Sequence, residues 1–304
     1  MEFPFQYDHG APLVFGGMLP HRRSFDESKA VVLPIPVDRT TSYVGGTRNG
    51  PHEILQASSH MELWDEEMEA DVHGVGIFTL PEMELPFGEM QPLVDEIERV
   101  AYEVIGRGKF LVALGGEHSI TPPLVSATAR RYAKLSVLQI DAHADMRDAY
   151  MGTIHNHACA MRRCLEFASI TQVGIRSLST EEAEALPRLG SQVFYDYSMR
   201  RDPKWMEAVV ETLGDTVYVT IDVDGMDPAI MPATGTPEPG GLSWPEITAL
   251  LRATAERRTI VGADIVELSP IPGMVAPSFL CAKLVYKLLT YCFAGDPRAK
   301  RLRT

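Results

Sequence analysis

The sequence predicts an α/β fold, a parallel sheet flanked by helices. Three observations carry this. Short apolar runs alternate with amphipathic stretches through most of the 304 residues, the pattern of repeated strand and helix units. The strand-like runs are nearly continuous in apolar residues, as expected when helices cover both faces of a sheet. Residues with metal-ligand chemistry follow the carboxyl ends of those runs, where open α/β sheets and barrels place their sites.

The elements follow in chain order. Residues 30–35 form the first candidate strand, and a helix-like segment covers 51–63 behind Pro51, an apt first-turn residue. Residues 72–79 are a less regular strand candidate. A helix is expected over 90–105, a strand over 110–114 and a helix over 122–132. Strand 136–140 leads into the most polar strand end of the chain, and 158–167 reads as helix. Strands 170–175 and 192–195 precede a helix at 203–213. Strand 216–221 is followed by a long Pro/Gly-rich stretch, then by a helix over 243–257. That helix opens with Ser243, Trp244, Pro245 and Glu246, a capping-box spacing with a first-turn proline. Strand 259–266 and a final helix, 277–293, close the fold. No long linker, low-complexity tract or internal repeat interrupts the pattern, so residues 1–304 are expected to form a single domain.

Composition narrows the function. The formal charge of −13 argues against a nucleic-acid partner, which requires a basic face. It fits a small cationic substrate, although solubility alone also accounts for an acidic surface. Cys159, Cys164, Cys281 and Cys292 form no Cys-x-x-Cys pair and read as reduced, mostly buried thiols. Residues 1–10 lack a basic stretch followed by an apolar one, so no signal peptide is expected. No apolar run approaches the length of a membrane span. The expectation is a cytoplasmic protein.

The chemistry sits at three strand ends. Asp141, His143 and Asp145 are spaced two apart after strand 136–140, so in an extended segment all three point to one side. Asp222 and Asp224 repeat the spacing after strand 216–221, and His118 follows Gly115-Gly116-Glu117 after strand 110–114. Any one of these motifs could be surface carboxylates beside a core histidine. All three at strand ends point instead to a shared site. Four carboxylates and two imidazoles are too many for one tetrahedral zinc and suit two metal ions with bridging carboxylates. With no thiolate in the set, manganese is expected first, ahead of nickel, cobalt or iron.

Two such ions lower the pKa of a shared water toward neutrality and create a nucleophile. This suits a poor electrophile such as a guanidinium, amide or phosphoester. A departing amine also needs a proton, and His155 and His157 both lie just beyond the ligand cluster. Glu267 ends strand 259–266 at the same edge, where a carboxylate can pair with a planar guanidinium. The loop between Ile221 and Leu242 is long enough to be functional and is expected to wall the pocket.

Gly-Gly-Glu-His-Ser at 115–119, Asp-Ala-His-Ala-Asp at 141–145 and Asp-Val-Asp-Gly-Met-Asp-Pro at 222–228 together resemble the ureohydrolase family of arginases and agmatinases. Pro34-Ile35-Pro36, Thr40-Thr41-Ser42-Tyr43 and Gly50-Pro51 are similar to the opening of a bacterial agmatinase. The resemblance implies a three-layer α/β/α sandwich around an eight-stranded parallel sheet. It implies two Mn2+ per chain, held by His118, Asp141, His143, Asp145, Asp222 and Asp224, with Asp145 also serving the chemistry. It matches His157 rather than His155 to the family's proton-shuttling histidine, and Glu267 to its guanidinium-binding glutamate. It also implies a homo-oligomer, trimer or hexamer.

Arginases carry an Asn two residues after the second motif. Arg147 stands there in this chain, which breaks the arginase pattern. Residues 155–163 look like the agmatinase branch, so the expected reaction is agmatine to putrescine and urea. Guanidinobutyrases share nearly all these motifs, and Arg147 could suit a carboxylate-tailed substrate. Two readings come from other classes. A mononuclear metal deacetylase would use fewer ligands and usually zinc. An inactive regulatory homologue would be expected to have lost ligands, whereas all six are present.

Overall fold

The computed structural model describes residues 13–17, 24–85 and 88–301. Eight strands pair in parallel throughout. They are β1 (Ala30–Ile35), β2 (Ile77–Thr79), β3 (Phe110–Gly115), β4 (Leu135–Ile140), β5 (Ser169–Ile175), β6 (Gln192–Tyr195), β7 (Thr216–Asp222) and β8 (Thr259–Val266). Their spatial order is β2-β1-β3-β8-β7-β4-β5-β6. The helices are α1 (Gly50–Ser58), α2 (Met90–Gly106), α3 (Thr121–Ala129), α4 (Ala160–Cys164), α5 (Thr180–Leu189), α6 (Asp196–Met199), α7 (Trp205–Thr212), α8 (Trp244–Arg257) and α9 (Ala276–Phe293).

Strand alternation divides the interior into two cores. Val31, Leu33 and Ile35 of β1 face one side, with Leu93 and Ile97 of α2, Leu124 of α3 and Met161 of α4. Val32 faces the other, with Ile54 of α1, Val209 of α7, Leu250 of α8 and Leu284 of α9. Both faces of the sheet are therefore covered, and every residue of β1, β3 and β4 is buried. That explains why these strands read as nearly continuous apolar runs. The result is the three-layer sandwich expected from the sequence.

Some elements differ from expectation. The strand expected over 72–79 is divided: Val72–Val75 is a 3-10 turn, and only Ile77–Thr79 joins the sheet. Gly76, at φ 87°, separates the two pieces. Ala70–Asp71 pairs instead with Lys300–Arg301 in a small antiparallel ribbon. The helix expected over 158–167 shrinks to a 3-10 turn at His157–Cys159 and one turn of α4. Helix α5 was not anticipated. Its signal was present in the Ser179-x-x-Glu182 box, where Glu182 Oε2 accepts the Ser179 backbone N–H at 2.8 Å. The four cysteines are free, with Cys159, Cys164 and Cys281 buried. No helix among the described residues is long and apolar enough to cross a membrane. Residues 1–10 lie outside the described residues.

Candidate metal centre

Four neighbouring strands, β3, β8, β7 and β4, end in step. Leu114 pairs with Ile265, Ile265 with Ile221, and Ile221 with Ile140. The chain therefore leaves the sheet at one level in four adjacent places, and each exit carries site residues. Two glycines make the exits fit. A Cβ on Gly116 would lie 1.8 Å from the Val37 carbonyl oxygen, and one on Gly225 would lie 2.7 Å from the Asp141 nitrogen. Neither position has room for any side chain. Asp145 and Glu267 have φ of 51° and 65°, left-handed values that non-glycine residues seldom adopt. Strain of this kind collects at functional sites.

The two-residue spacing has a local cause. Asp141 Oδ1 accepts the His143 N–H at 2.6 Å, and Asp222 Oδ1 accepts the Asp224 N–H at 2.9 Å. Each leading aspartate ties down its own turn with one oxygen. The other oxygens, Asp141 Oδ2 and Asp222 Oδ2, lie 3.2 and 3.5 Å from His118 Nδ1, and Asp145 Oδ2 lies 3.0 Å from it. A second group gathers beside the first. His143 Nδ1 is 2.9 Å from Asp224 Oδ2 and 3.7 Å from Asp141 Oδ1. Asp141 belongs to both groups. All six residues expected as ligands are brought together.

The charges demand cations. Burial raises the pKa of Asp141 to about 7, reinforced by the charges of Asp224 and Asp145. Burial also holds Asp222 well above the usual carboxylate range, with Asp224 and Asp141 adding to it. Burial would lower the two histidines, but their carboxylate neighbours prevail. His118 is held well above its ordinary value, and His143 is pushed up to about 11. His118 Nδ1 is buried yet makes no hydrogen bond of proper geometry, although three carboxylates surround it. A ring nitrogen and carboxylate oxygens converging without hydrogen bonding fit a metal ion between them. The all-oxygen-and-nitrogen donor set suits a hard or borderline divalent ion.

A cavity of about 270 Å³ opens onto these ligands and is lined by His143, Asp145, Asp222, Asp224, Glu267, His157 and Arg147, among others. Glu267 Oε1 accepts the His118 backbone N–H at 2.6 Å. Burial, and then the nearby Glu117 charge, holds its carboxyl well above the usual range. His157 lines the same cavity, whereas His155 turns away, its Nε2 2.8 Å from Gln91 Oε1. Arg147 is already engaged: its guanidinium stacks 4.7 Å from the Tyr150 ring centre, and Nε lies 3.8 Å from Glu182 Oε2.

Sequence reasoning missed the residues that hold the candidate ligands in place. Gln139 donates to Asp141 Oδ2 at 2.7 Å. Arg176 donates to the carbonyls of Gly174, Asp224, Glu238 and Pro239, fastening the loop after β7 to the end of β5. Asp264, fully buried in β8, accepts hydroxyl hydrogen bonds from Thr121, Tyr218 and Thr220. An aspartate within an apolar strand was the available signal.

The arginase family model matches residues 28–290, nearly the whole described chain. The chain belongs to the arginase family. It is 40% identical, over 92% of its length and 93% of the relative's, to an N(1)-aminopropylagmatine ureohydrolase of Synechocystis sp.. An agmatinase of Bacillus anthracis is 35% identical over 82% of this chain and 86% of its own. Among solved structures, the agmatine ureohydrolase of Thermoplasma volcanium superimposes with a TM-score of 0.83 at 34% identity. That match covers 90% of this chain and 92% of the other. Membership of this hydrolytic family accords with the paired ligand groups at the sheet edge and places the chain among enzymes rather than binding modules.

Proposed function

We propose that this arginase-family hydrolase cleaves a linear guanidinoalkylamine to urea and the free amine, with agmatine to putrescine as the simplest case and manganese as the metal. The observation that carries the choice of tail is the engagement of Arg147. Its guanidinium stacks on Tyr150 and its Nε faces Glu182, another residue of the cavity lining, so part of its charge is already answered and a cationic tail is favoured over arginine or a guanidino acid.

Two divalent ions bound by the six ligands would supply water acidified enough to attack near neutral pH. Glu267 would hold the guanidinium carbon in place through a charge-assisted pair. As the carbon takes the water oxygen, its bond to the alkylated nitrogen would break with the electron pair staying on that nitrogen; of the water's two protons, one would leave to solvent as the nucleophile forms and the other would pass by way of Asp145 to the departing nitrogen. His157 would deliver a proton there and recover one from solvent. The N(1)-aminopropyl derivative of agmatine is a second reading, favoured by the 40% identity to the Synechocystis protein.

Urea release from agmatine, N(1)-aminopropylagmatine, arginine and 4-guanidinobutyrate, with added manganese, tests the reading. Efficiency with one of the two amines should exceed that with arginine by at least about 10²-fold, since misplaced polar groups cost heavily in a pocket. Preference for 4-guanidinobutyrate would reject the cationic tail and leave the hydrolysis standing.

A further inference from the structure

Glu117 precedes a metal-ligand candidate, but its own side chain turns the other way. It is fully buried and accepts four hydrogen bonds. Oε2 takes the backbone N–H groups of Arg39 and Thr40, each at 2.6 Å. Oε1 takes the hydroxyls of Thr40 at 2.8 Å and Ser119 at 2.6 Å. Four donors, two to each oxygen, occupy the carboxyl group from both sides.

The consequence passes to His157. The single hydroxyl hydrogen of Thr40 is committed to Glu117, so Thr40 Oγ1 can only accept from other partners. Two groups of His157 meet it, the backbone N–H at 3.1 Å and ring Nδ1 at 3.1 Å. Nδ1 must therefore donate. In the neutral imidazole this leaves the lone pair on Nε2 alone. The Tyr150 ring, edge-on at 6.4 Å, limits the tilt of the imidazole from another side.

The backbone supports the same chain. Gly116 N–H donates to Ile35 O at 2.9 Å and Glu117 N–H to Val37 O at 2.8 Å, so the segment carrying Thr40 is stitched to the one carrying Glu117. We infer that Glu117, acting through Thr40, is a positioning residue that fixes the Nδ1–H tautomer of His157 and presents Nε2 to the reacting nitrogen. This rests on the reading of His157 as the proton carrier. Neither Glu117 nor Thr40 is among the residues lining the cavity. They determine which ring nitrogen works.

Thr40→Val keeps the shape and removes the hydroxyl, while Thr40→Ser restores it. In the manganese-loaded enzyme, Thr40→Val should lower kcat about 10- to 10²-fold, less than the roughly 10²- to 10⁴-fold that a general acid–base residue itself supplies. KM, metal content and melting temperature should stay near wild type, and Thr40→Ser should recover most of kcat. Neutron diffraction of the loaded wild-type enzyme should find a deuteron on His157 Nδ1. In a His157→Ala background, Thr40→Val should have little further effect, because the two act as one unit. A deuteron on Nε2 with Nδ1 bare, a full additional loss in the His157→Ala background, or unchanged kcat in Thr40→Val would overturn the inference. Unchanged turnover in His157→Ala alone would instead remove the proton-carrier reading on which it rests.

Discussion

Thr220 Oγ1 lies 3.0 Å from His118 Nε2, on the side of the ring facing away from the aspartates. Thr220 in turn donates to Asp264 Oδ1 at 2.6 Å, so its oxygen must accept from Nε2–H. The Nδ1 lone pair is thereby directed at the ligand cluster. Burial raises the pKa of Asp264, while His118 and the three hydroxyls pull it the other way. Thr220→Val should leave the fold intact but weaken divalent-ion affinity about 10- to 10²-fold, as losses around a metal-binding histidine do. Metal content after dialysis against graded chelator measures this. Unaltered retention of both ions would show that His118 needs no such support.

Metal loading should release protons. In the metal-free chain burial would lower His143, but Asp224 and Asp141 push it up to about 11, so it is charged near neutrality. His118 is likewise held well above its ordinary value by Asp141, Asp145 and Asp222. Each ring must lose a proton to bind a cation. Titration of metal-free protein with manganese near pH 7.5 should therefore release at least about two protons per chain, those of the two imidazoles together with any held on Asp222 and Asp141, whose carboxyls burial also raises, and apparent affinity should rise with pH. Calorimetry in buffers of different ionisation enthalpy reads the number directly. Binding without proton release would contradict the charge state argued here.

The six candidate ligands could be picked out because each motif is local: an apolar run, then carboxylates or histidines at the spacing of one strand face. Which strands would be neighbours was not. The adjacency of β3, β8, β7 and β4 depends on pairing across more than a hundred residues, from Leu114 to Ile265, and no local pattern encodes it. Thr40, Thr220 and Glu117 escaped for another reason. A threonine in or beside a strand is ordinary there, and only the contact with a particular histidine gives it a role. Helix α5 escaped because its amphipathic stripe is short and Pro187 lies inside it.

Acid stability should depend on Glu67, which is not part of the candidate metal centre. Burial opposes its ionisation, but hydrogen bonds from Lys287, Tyr291 and Arg252 outweigh this and hold its pKa at about 2, below the ordinary 4.5. A carboxyl with a depressed folded pKa contributes stability above about pH 4.5, lost as pH falls toward 2. Glu67 is partly exposed, so solvent screening reduces the contribution to about 1 kcal/mol. Glu67→Gln should lower the melting temperature at pH 7 by a few degrees and flatten its fall between about pH 5 and 3. An equal loss at both pH values would point to packing instead of charge.

The sharpest test of the pocket is Glu267→Gln. Glutamine retains a carbonyl oxygen to accept the His118 N–H now bound by Glu267 Oε1 at 2.6 Å, so the backbone beside the first ligand should be undisturbed. What it removes is the charge facing the guanidinium. Truncating one side of a buried, hydrogen-bonded charge pair costs several kcal/mol. The expected loss in kcat/KM is about 10²- to 10³-fold, with both metals retained. Because every guanidino substrate presents the same head to Glu267, the loss should be equal for agmatine, its N(1)-aminopropyl derivative and 4-guanidinobutyrate, leaving their ratios unchanged. Ratios that shift with the tail would mean that Glu267 reads the tail as well as the head. Full activity in Glu267→Gln would move guanidinium recognition to another wall of the cavity, with Thr236 and Ser179 among the lining residues to examine next.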